Sequence, residues 1–303
     1  MVVVACSGGP DSLALVAATA WVAQQRGWRA GAVVVDHGLQ EQSAQVAAQA
    51  ARTCELLGVS AQVRAVLVGS HGGPEAAART ARYAALTAVA EDCQADAVLL
   101  GHTRDDQAET VLLRLARGSG ARSLAAMAPI DGLWRRPLLG LSREDVHAAA
   151  TQALQQTGQH AWMDPHNADE RFARVRVRRI LAELTAALGP GVVDGLVRSA
   201  DALRDDADAL DDRARQAFAN LLSQDSSGTL DAGVMGDWPR ALRTRVLRAW
   251  LLAAGSPAED LDRAHVLAVD ALIVDWHGQG PIAVPGGLAV QRSCGRLRIN
   301  GRQ

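Results

Sequence analysis

The chain has 303 residues, 49% of them hydrophobic, and a formal net charge of −2 at pH 7. That length and apolar content support two domains, each with its own core, and the near-zero charge excludes a global cationic field, so any nucleic-acid surface must be local. All 31 basic residues are arginine, which excludes a lysine Schiff base and the lysine-bearing GxxxxGK(S/T) phosphate loop within this chain.

Short β-branched runs recur through the first half: VVVAC at 2–6, GAVVVDHG at 31–38, QVRAVLV at 62–68 and DAVLLGH at 96–102. Alanine-rich helical stretches separate them, including EQSAQVAAQAARTCELLG and PEAAARTARYAALTAVAEDC. Strands apolar throughout, alternating with helices, predict an α/β fold built on a parallel sheet with helices on both faces. Function is then expected at the carboxyl ends of the strands.

After about residue 190 the pattern changes. A long helix from Gly191 to about Leu222 carries an acidic centre, DALRDDADALDDRA, that reads as a solvated face. The polar break SQDSSGTLDAG follows, then two helices around ALRTRVLRAWLLAAG and EDLDRAHVLAVDALI. The tail GPIAVPGGLAVQRSCGRLRIN reads as two or three strands with a PGG turn. The expected organisation is a catalytic domain over 1–190, a connecting helix over 191–225 and a small α+β substrate-binding domain over 226–303.

The four cysteines, Cys6, Cys54, Cys93 and Cys294, form no CxxC pair and read as small buried side chains in a reducing compartment. No basic leader precedes the first strand, and no apolar run approaches the ~20 residues of a bilayer span. A soluble, cytoplasmic protein without membrane contact is the expectation.

The first strand delivers SGGPDS to the start of a helix. Gly8 and Gly9 permit a sharp turn and close backbone approach, and Pro10 suits the first helical position. The remaining loop amides and the Ser7 and Ser12 hydroxyls can face an anion at the positive end of the helix dipole. Asp11 either favours the helix N-terminus or holds Mg²⁺ against bound phosphates, because Mg²⁺ is bound through one or two carboxylates plus phosphate oxygens.

Two further strand ends carry VVVDHGL, with Asp36 and His37, and LLGHTRDDQAETVLLRLARGSG, with His102, Asp105, Asp106 and Glu109. Glu109 follows Asp106 by three residues and shares its helical face. These acids fit either a metal and triphosphate site or a helix cap.

Together these segments resemble the PP-loop ATP pyrophosphatase superfamily, of the adenine nucleotide alpha hydrolase-like fold, and within it the tRNA(Ile)-lysidine synthase family. SGGPDS, VDHGL, EAAARTARYAAL, GHTRDDQAETVLLRLARGSG, RRPLL and DPHNADERFARVRVRRIL appear in that family's order. The resemblance implies an ATP-dependent carbon–nitrogen ligase that joins free L-lysine to C2 of the wobble cytidine of an isoleucine tRNA with a CAU anticodon. An adenylated base is the implied intermediate, pyrophosphate and AMP the products, and a switch from AUG to AUA reading the consequence.

On that resemblance Ser7, Gly8, Gly9, Pro10, Asp11 and Ser12 hold ATP, and Asp11 and Asp106 ligate Mg²⁺. Asp36 and His37 border the adenosine or the activated base, and His102 counts with them among the catalytic residues. Arg79 and Arg82 reach phosphate or base, or pair on an exposed helix. Arg171, Arg174, Arg176, Arg178 and Arg179, with Arg114, Arg117, Arg122, Arg135, Arg136 and Arg143, form a basic strip for tRNA phosphates. Val175 stands where the family often has Asn, and the chain reads as a short form of the enzyme; a homodimer is left open. Rival readings are a tRNA thiolase, which commonly needs paired cysteines, an amidotransferase-type synthetase and a non-catalytic adenine-nucleotide sensor.

Overall fold

The structure, a computed structural model, describes residues 1–38, 40, 42–69, 73–118, 120–224 and 228–301. Two compact units divide the chain, Met1–Ala202 and Leu203–Gln303. The boundary falls inside one helix, α8 (Val192–Gln224), which occupies the stretch expected as the connector.

The first unit is built from β1 (Val2–Cys6), α1 (Pro10–Arg26), β2 (Ala30–Asp36), α2 (Ser43–Leu56), β3 (Ser60–Ala65), α3 (Pro74–Asp92), β4 (Ala97–Leu100) and α4 (Arg104–Ala116). Short α5 (Ala121–Leu124), β5 (Ile130–Asp131) and β6 (Trp134–Arg135) follow, then α6 (Arg143–Gln155) and α7 (Ala173–Leu188). The sheet order is β3-β2-β1-β4-β6-β5. All pairings are parallel except β5 with β6, an edge hairpin whose two-residue strands carry no periodicity that a sequence reading can detect.

Alternation along β1 explains the layers. Val4 and Cys6 face α1, α2 and α6 in one core, whereas Val3 and Ala5 join Leu86, Val89 and Ala90 of α3 in the other. A strand buried on both faces must be apolar at every position, and VVVAC is. β3 is the exception to the expected apolar pattern: SAQVRA is largely exposed because it lies at the sheet edge.

Strand order reverses at β1, with β2 on one side and β4 on the other. Such a reversal opens a crevice at the carboxyl ends of the strands. The register Ala5↔Leu100 leaves Ser7 and His102 just beyond the paired ends.

The second unit packs the end of α8 against β7 (Leu230–Asp231), α9 (Ala232–Gly236), α10 (Arg240–Ala253), α11 (Arg263–Val274), β8 (Ile282–Val284), β9 (Leu288–Ser293) and β10 (Arg296–Gly301). Its antiparallel sheet has the order β7-β10-β9-β8, with Leu247, Leu251, Leu272 and Leu297 wholly buried. A buried ion pair, Arg243 Nε to Asp270 Oδ1 at 2.5 Å, ties α10 to α11. Residues 225–227 of the expected polar break lie outside the described residues.

The cysteines correct one expectation. Cys6 and Cys54 are buried in the same core, but Cys93 is half-buried and Cys294 exposed. A hydrogen bond with Cys54 lowers the Cys6 thiol to about 7 against the opposing effect of burial. No single helix among the described residues is long and apolar enough to cross a membrane.

Candidate active site

The SGGPDS loop joins β1 to α1 and is braced from within. Gly8 adopts φ +80°, and a Cβ there would lie 3.0 Å from Ala50 Cβ of α2, so only glycine fits. Gly9 is the N-cap and Pro10 opens the helix. Ser12 Oγ accepts the Ser7 amide at 3.1 Å and donates to Gly9 O at 2.9 Å. Its hydroxyl, expected to face an anion, instead holds the turn closed. Cys6 Sγ accepts the Gly8 amide at 3.4 Å. The donors these bonds leave for an anion are therefore the Gly9 amide, the first-turn amides of α1 and the Ser7 hydroxyl, which touches Ser12 Oγ at 3.3 Å.

Asp11 stands in the first turn of α1. Its Oδ1 is a buried oxygen without a hydrogen-bond partner, although His147 Nε2 of α6 lies 3.2 Å away. Burial raises the Asp11 carboxyl pKa, and the Asp106 carboxylate raises it further. Gly101 explains why the two acids are neighbours. A Cβ on it would lie 3.0 Å from Asp11 O and 3.3 Å from Ser12 Cα, so the end of β4 touches the first turn of α1 backbone to backbone.

Asp106 is also a cap. Its Oδ2 accepts the Thr103 amide at 2.8 Å and the Thr103 hydroxyl at 2.9 Å, completing a capping box at the start of α4. Its Oδ1 accepts Arg143 Nη2 at 2.9 Å. Burial opposes ionisation, but Arg143 and the Thr103 backbone hydrogen bond hold the carboxyl below its usual range. The same Arg143 nitrogen reaches Glu109 Oε1 at 2.9 Å, Arg178 Nε reaches it at 2.8 Å, and Asp105 Oδ2 accepts the Arg143 amide at 2.7 Å. Glu109 is wholly buried, and its Oε2 has no partner.

The acidic motif thus serves both as cap and as charged cluster. Arg143 and Arg178, expected among the tRNA-facing arginines, are bound into it. The remaining arginines of α7 and its approach do not converge either. Arg171 pairs with Asp169 at 2.7 Å, Arg179 with Glu170 at 2.7 Å, and Arg176 donates to the Glu170 and Arg171 carbonyls. Arg174 lines a cavity together with Arg79, Arg82, Arg114 and Arg117.

A separate cavity of about 260 Å³ opens at the ends of β1 and β2, lined by Ser7, Asp36, His37, Arg82, Trp162 and Asp164 over an apolar floor that includes Val33 and Val35. Asp36 Oδ1 accepts the Gly38 amide at 2.9 Å, which orients the turn that carries His37. Burial lowers the His37 pKa and, more strongly, that of His102, to about 3. Both imidazoles are therefore neutral at pH 7, and each keeps a buried Nδ1 without a partner. Arg79 stacks on Tyr83, with its guanidinium 4.8 Å from the ring centre.

Among the described residues no group of three or more His, Cys, Asp or Glu side chains could hold a metal ion. A cation here would depend on the Asp11 and Asp106 carboxylates and on phosphate oxygens. The Asp11 Oδ1, which makes no hydrogen bond and faces only the His147 ring, and the mutual repulsion of the two acids fit that donor set for Mg²⁺, whereas both Asp106 oxygens already carry bonds they would have to share. Sequence reasoning missed His147 and Gly101. Gly101 stands inside the GHTRDD motif, whereas no signal marks His147.

A PP-loop domain family model matches residues 1–185, and a TilS substrate binding domain model matches residues 230–298. The tRNA(Ile)-lysidine synthase of Thermobifida fusca is 53% identical over 99% of this chain and 91% of its own length, and that of Streptomyces coelicolor 50% identical over 99% and 85%. Among solved structures the U34-tRNA thiolase NcsA of Methanococcus maripaludis aligns with a TM-score of 0.56 at 21% identity, covering 67% of this chain and 71% of that one, a likeness of fold. With an ATP-binding PP-loop domain and close relatives matched over nearly its whole length, the chain belongs to the tRNA(Ile)-lysidine synthase family.

Proposed function

We propose that the crevice between β1 and β4 carries out the two steps of lysidine synthesis with the following division of labour. ATP lies with its adenosine in the cavity beside Asp36 and His37 and its phosphates on the first-turn amides of α1, next to Ser7, Gly8 and Gly9. The cytosine O2 of the wobble nucleotide attacks the α-phosphorus, the bond to the bridging oxygen breaks, and pyrophosphate leaves. The amine of free L-lysine then attacks C2, loses a proton, and the C2–O bond breaks to release AMP.

Asp11 and Asp106 would hold Mg²⁺, which supplies charge neutralisation to the departing pyrophosphate. His102, kept neutral by burial, can donate its one ring N–H to a phosphate oxygen without adding a further cation. Arg82, whose pKa burial lowers, stands where negative charge grows on the phosphorus oxygens, and preorganised donors there act most strongly. Arg79 is placed by its stacking on Tyr83 to assist.

The observation that carries this reading is the buried Asp11 Oδ1 at the mouth of the loop, which makes no hydrogen bond, faces the His147 ring at 3.2 Å and is acted on by the Asp106 charge. The test is incubation of the protein with transcribed isoleucine tRNA bearing a CAU anticodon, ATP and each amino acid in turn, followed by nucleoside mass analysis. A mass gain on cytidine with lysine alone is expected. A gain with another amino acid, or with none, overturns the assignment.

A further inference from the structure

We propose that Cys6 and Cys54 form a redox modification site: a thiol pair behind the SGGPDS loop that hydrogen peroxide converts to a disulfide, weakening nucleotide binding. Cys6 ends β1 and Cys54 lies in the last turn of α2. Both belong to the core that β1 shares with α1, α2 and α6, and the Cys54 thiol is hydrogen-bonded to Cys6. The path of the chain explains the meeting. β1, β2 and β3 are parallel, so α2, which returns from β2 to β3, runs against them. Ala50 of α2 stands opposite Gly8, where a Cβ would lie 3.0 Å from its methyl. Cys54 is one turn further, about 6 Å along the helix, and Cys6 is two residues back from Gly8, at most about 7 Å along the chain. The two thiols therefore stand level. Cys93, by contrast, packs against the other core, and Cys294 lies in the second unit.

Burial by itself makes a thiol inert. Cys6, however, lines the cavity of about 260 Å³ at the ends of β1 and β2, in company with Arg82, so a small neutral oxidant can reach its sulfur. Cys54 stands behind it, wholly buried. The hydrogen bond from Cys54 holds the Cys6 thiol down at about 7 against burial, helped by the Gly8 amide, the Ser12 hydroxyl and the Arg82 charge. The same hydrogen bond and burial push the Cys54 thiol up. Cys6 is thus the nucleophile, and Cys54 is the protonated partner placed to resolve its oxidised form.

The Cys6 thiolate attacks one peroxide oxygen, the O–O bond breaks, and the hydroxide released takes up a proton to become water. The Cys54 sulfur then attacks the Cys6 sulfenic acid, the S–O bond breaks, and the hydroxide leaves as water with the Cys54 proton. In sum both thiols lose their protons and an electron pair, and the peroxide is reduced to water. The new bond draws the sulfurs from hydrogen-bonding separation to about 2.05 Å, pulling α2 toward β1 where Ala50 already leaves Gly8 no slack. It also removes the thiolate charge from the sulfur that accepts the Gly8 amide at 3.4 Å. The loop must give way at both points. A dithiol reverses the change by exchange, becoming a disulfide itself.

The full chain carrying Cys294→Ser, which removes the exposed thiol, is treated with hydrogen peroxide and followed by free-thiol titration in denaturant, disulfide peptide mapping and ATP binding. Both thiols should vanish together into a Cys6–Cys54 link, and ATP affinity should fall roughly five- to tenfold, the share of one hydrogen bond lost from the loop. Dithiothreitol should restore both. Cys54→Ser on the same background should instead leave a Cys6 sulfenic acid that dimedone traps. Thiol loss without that link overturns the proposal, and so does a link that leaves ATP affinity at its reduced-state value. Saturating ATP should slow the linkage, an expectation that rests on the adenosine placement proposed above. A link formed equally fast under ATP would refute that placement, whereas the mapping and affinity results decide the thiol pair by themselves.

Discussion

Replacing Gly101 with alanine tests whether the close approach of β4 to α1 sets the catalytic geometry. Gly101 has no positive φ, so the cost of a methyl group is steric. The new Cβ would lie 3.0 Å from Asp11 O, 3.1 Å from Asp11 C and 3.3 Å from Ser12 Cα, all backbone, where ordinary contact begins at 3.4 Å. Relief demands a separation of about 0.4 Å between the start of α1 and the end of β4. Overpacking of this kind costs ~1–3 kcal/mol, which for a unit of this size lowers Tm by roughly 2–12 °C. A 1 Å misplacement costs about 10²-fold in rate, so about 0.4 Å scales to roughly 5–10-fold in kcat. Pyrophosphate release at saturating ATP and tRNA, with thermal unfolding alongside, measures both. Wild-type kcat and Tm together would refute the argument that this approach positions Asp11.

Asp11→Asn should lower pyrophosphate release by orders of magnitude yet leave Tm at pH 7 unchanged or higher, read by calorimetry. A carboxyl whose folded pKa is raised stabilises only below its unfolded value, and that contribution is gone once pH passes the folded value. Asp106→Asn should also stop release but lower Tm at pH 7, with the gap from wild type closing as pH falls below 3.8, because its folded pKa is depressed. Arg243→Ala strands the buried Asp270 carboxylate and should cost ~3–5 kcal/mol in denaturant unfolding; a change below about 1 kcal/mol would show that water reaches the pair. Gly8→Ala meets both a positive φ and the Ala50 methyl, so ATP affinity should fall while the second unit unfolds at its wild-type denaturant midpoint.

The parallel sheet was legible because VVVAC and AVLL are buried on both faces and therefore apolar at every position. The edge strand SAQVRA was harder to delimit: an exposed strand is free to be polar, and only its last four residues, 62–65, fall in the expected run. The β5–β6 hairpin escaped notice because two-residue strands leave no period to detect. At the site, SGGPDS and GHTRDDQAET announced their loops, since glycine turns and capping acids are local chemistry. What each side chain bonds to was not legible. Arg143 and Arg178 looked like members of one basic row, yet Glu109 holds both, a pairing between elements far apart in the chain. His147 sits in an ordinary amphipathic helix, and its approach to Asp11 follows from the packing of α6 on α1.

The internal bracing of the first loop has a thermodynamic consequence. Because Ser12 already ties Ser7 to Gly9, a nucleotide held there as proposed would meet a seat whose backbone conformation is fixed before it arrives, and would surrender little conformational entropy on docking. Ser12→Ala would leave that ordering to the ligand, so nucleotide association should acquire a more unfavourable entropy while the triphosphate keeps its partners.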